Sequence, residues 1–177
     1  KDFEKNIDFE LLFKGFKNNY SVIDNIKDNF IVHTNENAPC YKIILIDTNT
    51  KTHKDLIPEK KDLLDSVWPS GKKLFTNYLK DSTSRMYHFD LKGKLENEIK
   101  LPTLGLTTGS WGNKDDKFTF YTFTSFIYPT VIYKYDLRKQ KSSVFKKSEL
   151  KVNPNDYEMK QESYESQDGT KIPMFIV

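Results

Sequence analysis

The sequence predicts an all-β chain assembled from one repeated supersecondary unit, and three observations carry that prediction. Strands ending in aspartate recur at intervals of about 45 residues, as Tyr41-Lys-Ile-Ile-Leu-Ile-Asp47, Ser84-Arg-Met-Tyr-His-Phe-Asp90 and Thr130-Val-Ile-Tyr-Lys-Tyr-Asp136. Each is preceded at a near-constant offset by another strand, beginning at Phe30, Leu74 and Phe118. These segments alternate with period two and are rich in β-branched and aromatic residues, a composition that suits a pleated surface and disfavours helix. A four-stranded unit repeated at this period is a propeller blade. The expected architecture is therefore a partial β-propeller of about three four-stranded blades followed by a C-terminal β-hairpin.

Taken in order, residues 1–18 contain Phe9-Glu-Leu-Leu-Phe13, which reads as the outer strand of a preceding blade because Gly15 and Asn18-Asn19 break it after so few residues. Blades are expected over 19–60, 61–103 and 104–150. Within them an innermost strand comes first, at 20–26, 63–67 and 107–111. The second and third strands pair next, and a fourth returns at 54–58, 95–100 and 142–147. Between third and fourth strands lies turn chemistry, since Asp can accept hydrogen bonds from the backbone that follows it and Gly or Asn tolerates positive φ. Trp68 and Trp111, near the ends of inner strands, are expected to pack between blades, with Phe120, Ile132 and Tyr135 in the core. A β-sandwich would also have short, evenly spaced strands, but it has no reason to repeat the strand-turn-Asp pattern three times.

Residues 151–177 fall outside the period. Asp168-Gly169 between two alternating runs is a strong hairpin signal, and the chain closes on Met174-Phe-Ile-Val177, a buried-type strand expected to be covered by something further along. The chain begins at Lys1 rather than Met, as a processed or excised segment would.

Composition narrows the function classes. Hydrophobic residues make up 37% of the 177, enough for a real core. The 28 Lys and Arg nearly balance 25 Asp and Glu, with signs interspersed. No basic stripe exists for nucleic acid or an acidic membrane, and Arg85 and Arg138 are the only arginines. Apolar runs are too short to span a bilayer as helices, and a soluble cytoplasmic or periplasmic protein is the expectation. Cys40 is alone, so neither an intrachain disulfide nor a CxxC site is possible.

The stretch Phe120-Tyr-Thr-Phe-Thr-Ser-Phe126, then Pro129, Ile132-Tyr-Lys-Tyr-Asp136, Asn155-Asp-Tyr157 and Asp168-Gly-Thr-Lys-Ile-Pro-Met-Phe-Ile-Val177 resembles the last propeller blade of prolyl oligopeptidases and its junction with the hydrolase domain. Leu56-Ile-Pro-Glu59 and the strands around 74–79 and 86–91 resemble the preceding blade. The resemblance implies a seven-bladed propeller capping an α/β-hydrolase domain. This chain would hold its last three blades, an outer strand of the blade before and, over 151–177, a junction hairpin leading to the missing hydrolase domain. It further implies a parent that cleaves short peptides after proline with a Ser-Asp-His triad lying beyond this chain, and a propeller that restricts access sterically. The alternative, a WD-repeat or kelch interaction scaffold, lacks its Trp-Asp or Gly-Gly signature here.

No catalytic, cofactor or metal residue is assigned. Gly109-Ser-Trp-Gly112 is the nearest match to a G-x-S-x-G nucleophile elbow but lacks a residue between Gly and Ser. His33 and His88 lie in strands and His53 in a turn, without metal-ligand spacing, so surface or satisfied-edge histidines are expected. Cys40 sits in a connector with only Lys42 near it to favour a thiolate. The expected partners are proline-containing peptides and the hydrolase domain of the parent, and further copies of this chain through its uncovered blade faces.

Overall fold

The computed structural model describes residues 10–150 and 153–177. Its strands are β1 (Tyr20–Ile26), β2 (Asn29–Thr34), β3 (Lys42–Asp47), β4 (His53–Ile57), β5 (Leu63–Ser70), β6 (Lys73–Lys80), β7 (Thr83–Asp90), β8 (Leu95–Ile99), β9 (Leu106–Gly109), β10 (Phe118–Thr124), β11 (Val131–Asp136), β12 (Lys141–Lys147), β13 (Lys160–Glu165) and β14 (Lys171–Ile176). The first twelve form three four-stranded sheets in the orders β1-β2-β3-β4, β5-β6-β7-β8 and β9-β10-β11-β12, all antiparallel, and β13 pairs with β14. This is a partial β-propeller with a separate hairpin.

The recurring aspartates do the same local work in each sheet. Asp47 Oδ1 accepts the amides of Asn49 and Thr50 at 2.9 and 3.0 Å. Asp90 Oδ1 accepts those of Lys92 and Lys94, each at 2.8 Å, and Asp136 Oδ1 those of Arg138 and Lys139 at 3.0 and 2.9 Å. Each carboxylate thus closes the turn into the fourth strand and occupies amides that no strand ladder satisfies. In the hairpin, Asp168 accepts from the Thr170 amide at 3.0 Å and Gly169 takes φ +80°, a left-handed value at which glycine carries no steric penalty.

Sheets stack face to face, and their facing side chains make the core. Between the first and second lie Ile23, Ile31, Ile43, Ile57, Leu64, Val67, Leu74, Tyr78 and Phe89. Between the second and third lie Trp68, Phe75, Met86, Ile99, Tyr121 and Tyr135. Leu12, Phe13, Tyr20 and Phe30 pack against Val32, Ile44 and Ile46, and the Phe13 and Tyr20 rings stack at 3.6 Å.

Three expectations need correction. The outer strand expected over Phe9-Glu-Leu-Leu-Phe13 begins outside the described residues, and from residue 10 to 19 the chain is bends and irregular backbone without strand pairing. The third inner strand ends at Gly109, not at 111, and Trp111 is 59% exposed rather than packed between blades. The reason is Trp68. Its indole lies where a Cβ on Gly109 would project, so the second sheet's tryptophan fills the seam and the chain turns away carrying Trp111 out. Finally, the phase of β10 buries Thr119, Tyr121 and Phe123 against the second sheet, which places Phe120 and Ile132 on the opposite, half-open face. Tyr135 is buried as expected.

This packing makes Gly109 and Phe75 sensitive positions. Gly109→Ala would force the Trp68 indole from its seat and is expected to cost about 1–3 kcal/mol, the usual range for overpacking. Phe75→Ala, at a fully buried ring, is expected to cost about 3–5 kcal/mol. Urea unfolding followed by tryptophan fluorescence measures both, and a Gly109→Ala chain as stable as its parent would contradict the packing described.

Candidate functional site

β1, β5 and β9 are the first strands of their sheets and occupy one edge of each. They also lie side by side, β1 against β5 and β5 against β9, so together they form a continuous wall of strand edges. Such edges carry unpaired backbone groups unless they are blunted. Here β1 is bulged between Val22 and Asp24, β5 between Leu64 and Ser66, and Asp24, Asp65 and Ser66 stand on the wall.

The connection from β9 to β10 straps this wall at one end. The Gly112 amide donates to the Pro69 carbonyl and the Gly71 amide to the Asn113 carbonyl, both at 2.9 Å. Lys114 then reaches back to the first sheet. Its ammonium donates to the Asn25 carbonyl at 2.9 Å and Oδ1 at 3.1 Å, and lies 3.3 Å from Asp24 Oδ1. One loop therefore touches all three sheets.

A polar cluster crosses the seam between second and third sheets. His88 Nε2 and the Tyr135 hydroxyl are 3.0 Å apart, and Asn97 Nδ2 donates to the same hydroxyl at 2.9 Å. On the other side of the ring, Nδ1 is 3.2 Å from Glu96 Oε2 at an angle that falls short of a hydrogen bond, and Glu96 Oε1 accepts from Lys73 Nζ at 2.7 Å. Burial, the largest effect, pushes the His88 imidazole below its ordinary pKa; Lys73 acts in the same direction, and Glu96 opposes it. The sequence expectation of a surface or satisfied-edge histidine does not hold for His88, which is 2% exposed. It faces the third sheet from a strand buried on both sides, a setting that strand periodicity alone does not reveal.

The remaining candidates are dispersed. Ser110 is exposed, and its hydroxyl reaches only the Trp111 carbonyl at 3.5 Å, with neither histidine nor carboxylate as a partner. His33 Nε2 lies 3.0 Å from the Leu64 carbonyl, and its ring stands 4.7 Å from that of Tyr41. Burial depresses its pKa, with the Leu64 carbonyl and Asp65 opposing. His53 is on the surface, 3.8 Å from Glu36. Cys40 Sγ faces the Lys61 carbonyl at 3.5 Å, and its amide donates to Glu59 at 2.6 Å. These groups make no nucleophile-base pair.

Inner strands thus stand side by side across three stacked sheets, and among the described residues Ser110 has no base beside it. Residues 1–148 match the prolyl oligopeptidase N-terminal beta-propeller domain, and the chain belongs to the prolyl oligopeptidase family. It is 37% identical to a prolyl endopeptidase of Elizabethkingia miricola and 35% identical to one of Elizabethkingia meningoseptica, in each case over 99% of this chain and 25% of the relative. A solved prolyl endopeptidase superposes with TM-score 0.88 at 37% identity, covering 97% of this chain and 26% of that one. Prolyl oligopeptidase B from Galerina marginata, solved with a 35-residue hydrolysis and macrocyclization substrate, superposes equally well at 28% identity over 25% of its length. The chain thus spans about a quarter of the length of these relatives. The interaction-scaffold alternative gives way to this match.

The seam generates a pH prediction. An imidazole that resists protonation in the folded state binds its proton more readily when unfolded, so its stabilising contribution is present above the ordinary histidine value and is lost as pH falls through and below it. For His88 that value is 6.5. The urea midpoint is expected to fall between pH 7 and pH 5, and His88→Gln is expected to flatten the decline, leaving the share due to His33. Equal slopes in variant and parent would assign the effect elsewhere.

Proposed function

We propose that this chain is part of the non-catalytic propeller of a serine-type prolyl endopeptidase, the domain that covers the active site and admits short peptides while excluding folded proteins. The observation that carries the reading is the wall of β1, β5 and β9, whose edges and loop straps are the parts of stacked blades that border an axial passage. Peptide cleavage after proline belongs, in this reading, to a hydrolase domain of the parent that contributes the serine, aspartate and histidine. The isolation of Ser110 from any base supports placing the chemistry outside these residues. Residues 151–177, with the β13–β14 hairpin, are then the junction toward that domain. Phe175 of β14 meets Phe126, in the loop between β10 and β11, with ring centroids 5.3 Å apart.

The isolated chain also presents apolar surface that a neighbouring blade would cover. Leu106, Trp111, Phe118 and Phe145 are all exposed, and the half-buried Phe120 and Ile132 share the outer face of the third sheet. A second copy of the chain can cover this face by sheet-on-sheet packing.

Two measurements test this reading. The purified chain is expected to release no chromophore from a Gly-Pro chromogenic substrate, and turnover that survives repurification and is lost in Ser110→Ala would overturn the assignment. Light scattering at micromolar concentration is expected to show a dimer or larger species that Phe120→Lys shifts toward monomer. A parent chain that is already monomeric would remove the second-copy contact.

A further inference from the structure

Lys60 lies in the linker that leaves β4 and enters β5, and its ammonium stands over three aromatic rings at once. The centroids of Tyr78, Tyr87 and Phe89 are 4.7, 5.2 and 5.2 Å from Nζ. We propose that Tyr78, Tyr87 and Phe89 form an aromatic cage for an organic ammonium group, and that the resident ligand of this cage is the side chain of Lys60.

Strand register builds the cage. Tyr78 is on β6, and Tyr87 and Phe89 are on β7 opposite Thr76 and Leu74. The two-residue steps Leu74, Thr76, Tyr78 and Phe89, Tyr87 place all three rings on the same face of the second sheet, the face that packs on the first. Tyr78 and Tyr87 meet edge to face at 5.8 Å, which holds two walls at an angle to each other. Tyr78 and Phe89 are buried and Tyr87 half-buried, so the floor is covered and the mouth open.

The attraction is that of a cation for ring faces. Among the described residues no carboxylate lies within ion-pair distance of Lys60 Nζ; burial, the larger effect, lowers the pKa of its ammonium, and Asp62 opposes this as a more distant charge. Both phenols remain neutral at physiological pH. Burial pushes Tyr78 up to about 12, and burial also raises Tyr87. The Tyr78 hydroxyl is buried without a hydrogen-bond partner, so packing and the cation, not a polar contact, hold that ring. A neutral ring presents a negative quadrupole to a cation, and a methylated or quaternary ammonium, weakly hydrated, suits such a site as well as a primary one. The linker between first and second sheets is therefore fastened across the seam by a charge that a neutral side chain cannot replace.

Reductive methylation of the chain with 13C-formaldehyde places two labelled methyl groups on each lysine nitrogen while keeping its charge, and the Lys60 resonance is identified by its absence from a Lys60→Arg sample. Ring faces shield what lies over them, so this resonance is expected upfield of the envelope formed by the other lysines. A dimethyl-Lys60 signal inside that envelope overturns the cage. Lys60→Ala is expected to melt about 2–4 °C below Lys61→Ala, the loss that a cation over aromatic faces corresponds to in a chain of this size. Tetramethylammonium chloride, but not equimolar sodium chloride, should restore part of that loss. Equal melting of the two alanine variants, or a Lys60→Ala deficit indifferent to tetramethylammonium, also overturns the proposal.

Discussion

Everything in this molecule depends on the packing of one four-stranded sheet against the face of the next. A sheet of such short strands has two faces and cannot bury either by itself. In the second sheet both faces are covered, and β6 is buried at every position from Leu74 to Tyr78 without regard to side-chain parity. The third sheet is covered on one face, and β10 alternates between buried and half-open. Its outermost strand, β12, is exposed throughout. Corresponding strands of the two sheets thus differ in burial with the number of covered faces, and the outermost strand of each sheet is the most exposed.

Close approach between sheets is set by a few complementary choices. Trp68 and Gly109 are one such pair, a large ring against a residue with no side chain. His88, Tyr135 and Asn97 are another, where polar groups forced into the seam find partners across it. Asn77 plays a comparable part farther along, bonding both the backbone and the side chain of Thr107 on β9 at 3.4 and 3.3 Å. A buried polar group is tolerated only where such partners exist. Paired groups of this kind fix the rotation of one sheet on the next more narrowly than apolar contact does.

The proposed role follows from geometry rather than from reactive groups. Chemistry-bearing residues are present, but Ser110, Cys40 and the three histidines are spread over different edges and seams, and among the described residues they form no nucleophile-base pair. What the fold does assemble is a wall of inner strands with a strap from Gly112 to Lys114 joining the third sheet to the second and the first. In the proposed role, such a wall borders a passage that selects by size.

The sequence by itself determined the repeat, the strands and their turns. Each of these is local: alternation with period two marks a strand wherever it stands, and Asp47, Asp90 and Asp136 bind amides within four residues of themselves. The hairpin turn at Asp168-Gly169 was legible for the same reason. Tertiary structure alone decided which face of each strand met a neighbour. Alternation in Phe118-Thr-Phe-Tyr-Thr-Phe123 places aromatic residues on both faces, so it could not tell that Tyr121 and Phe123 point into the seam and Phe120 away from it. It could not show that Trp68 would fill the seam and leave Trp111 outside, because that choice is made by the absent Cβ of Gly109. Nor could it join Lys60 to Tyr78, Tyr87 and Phe89, or Lys114 to Asp24, since these contacts exist only once separate sheets and their linkers are stacked.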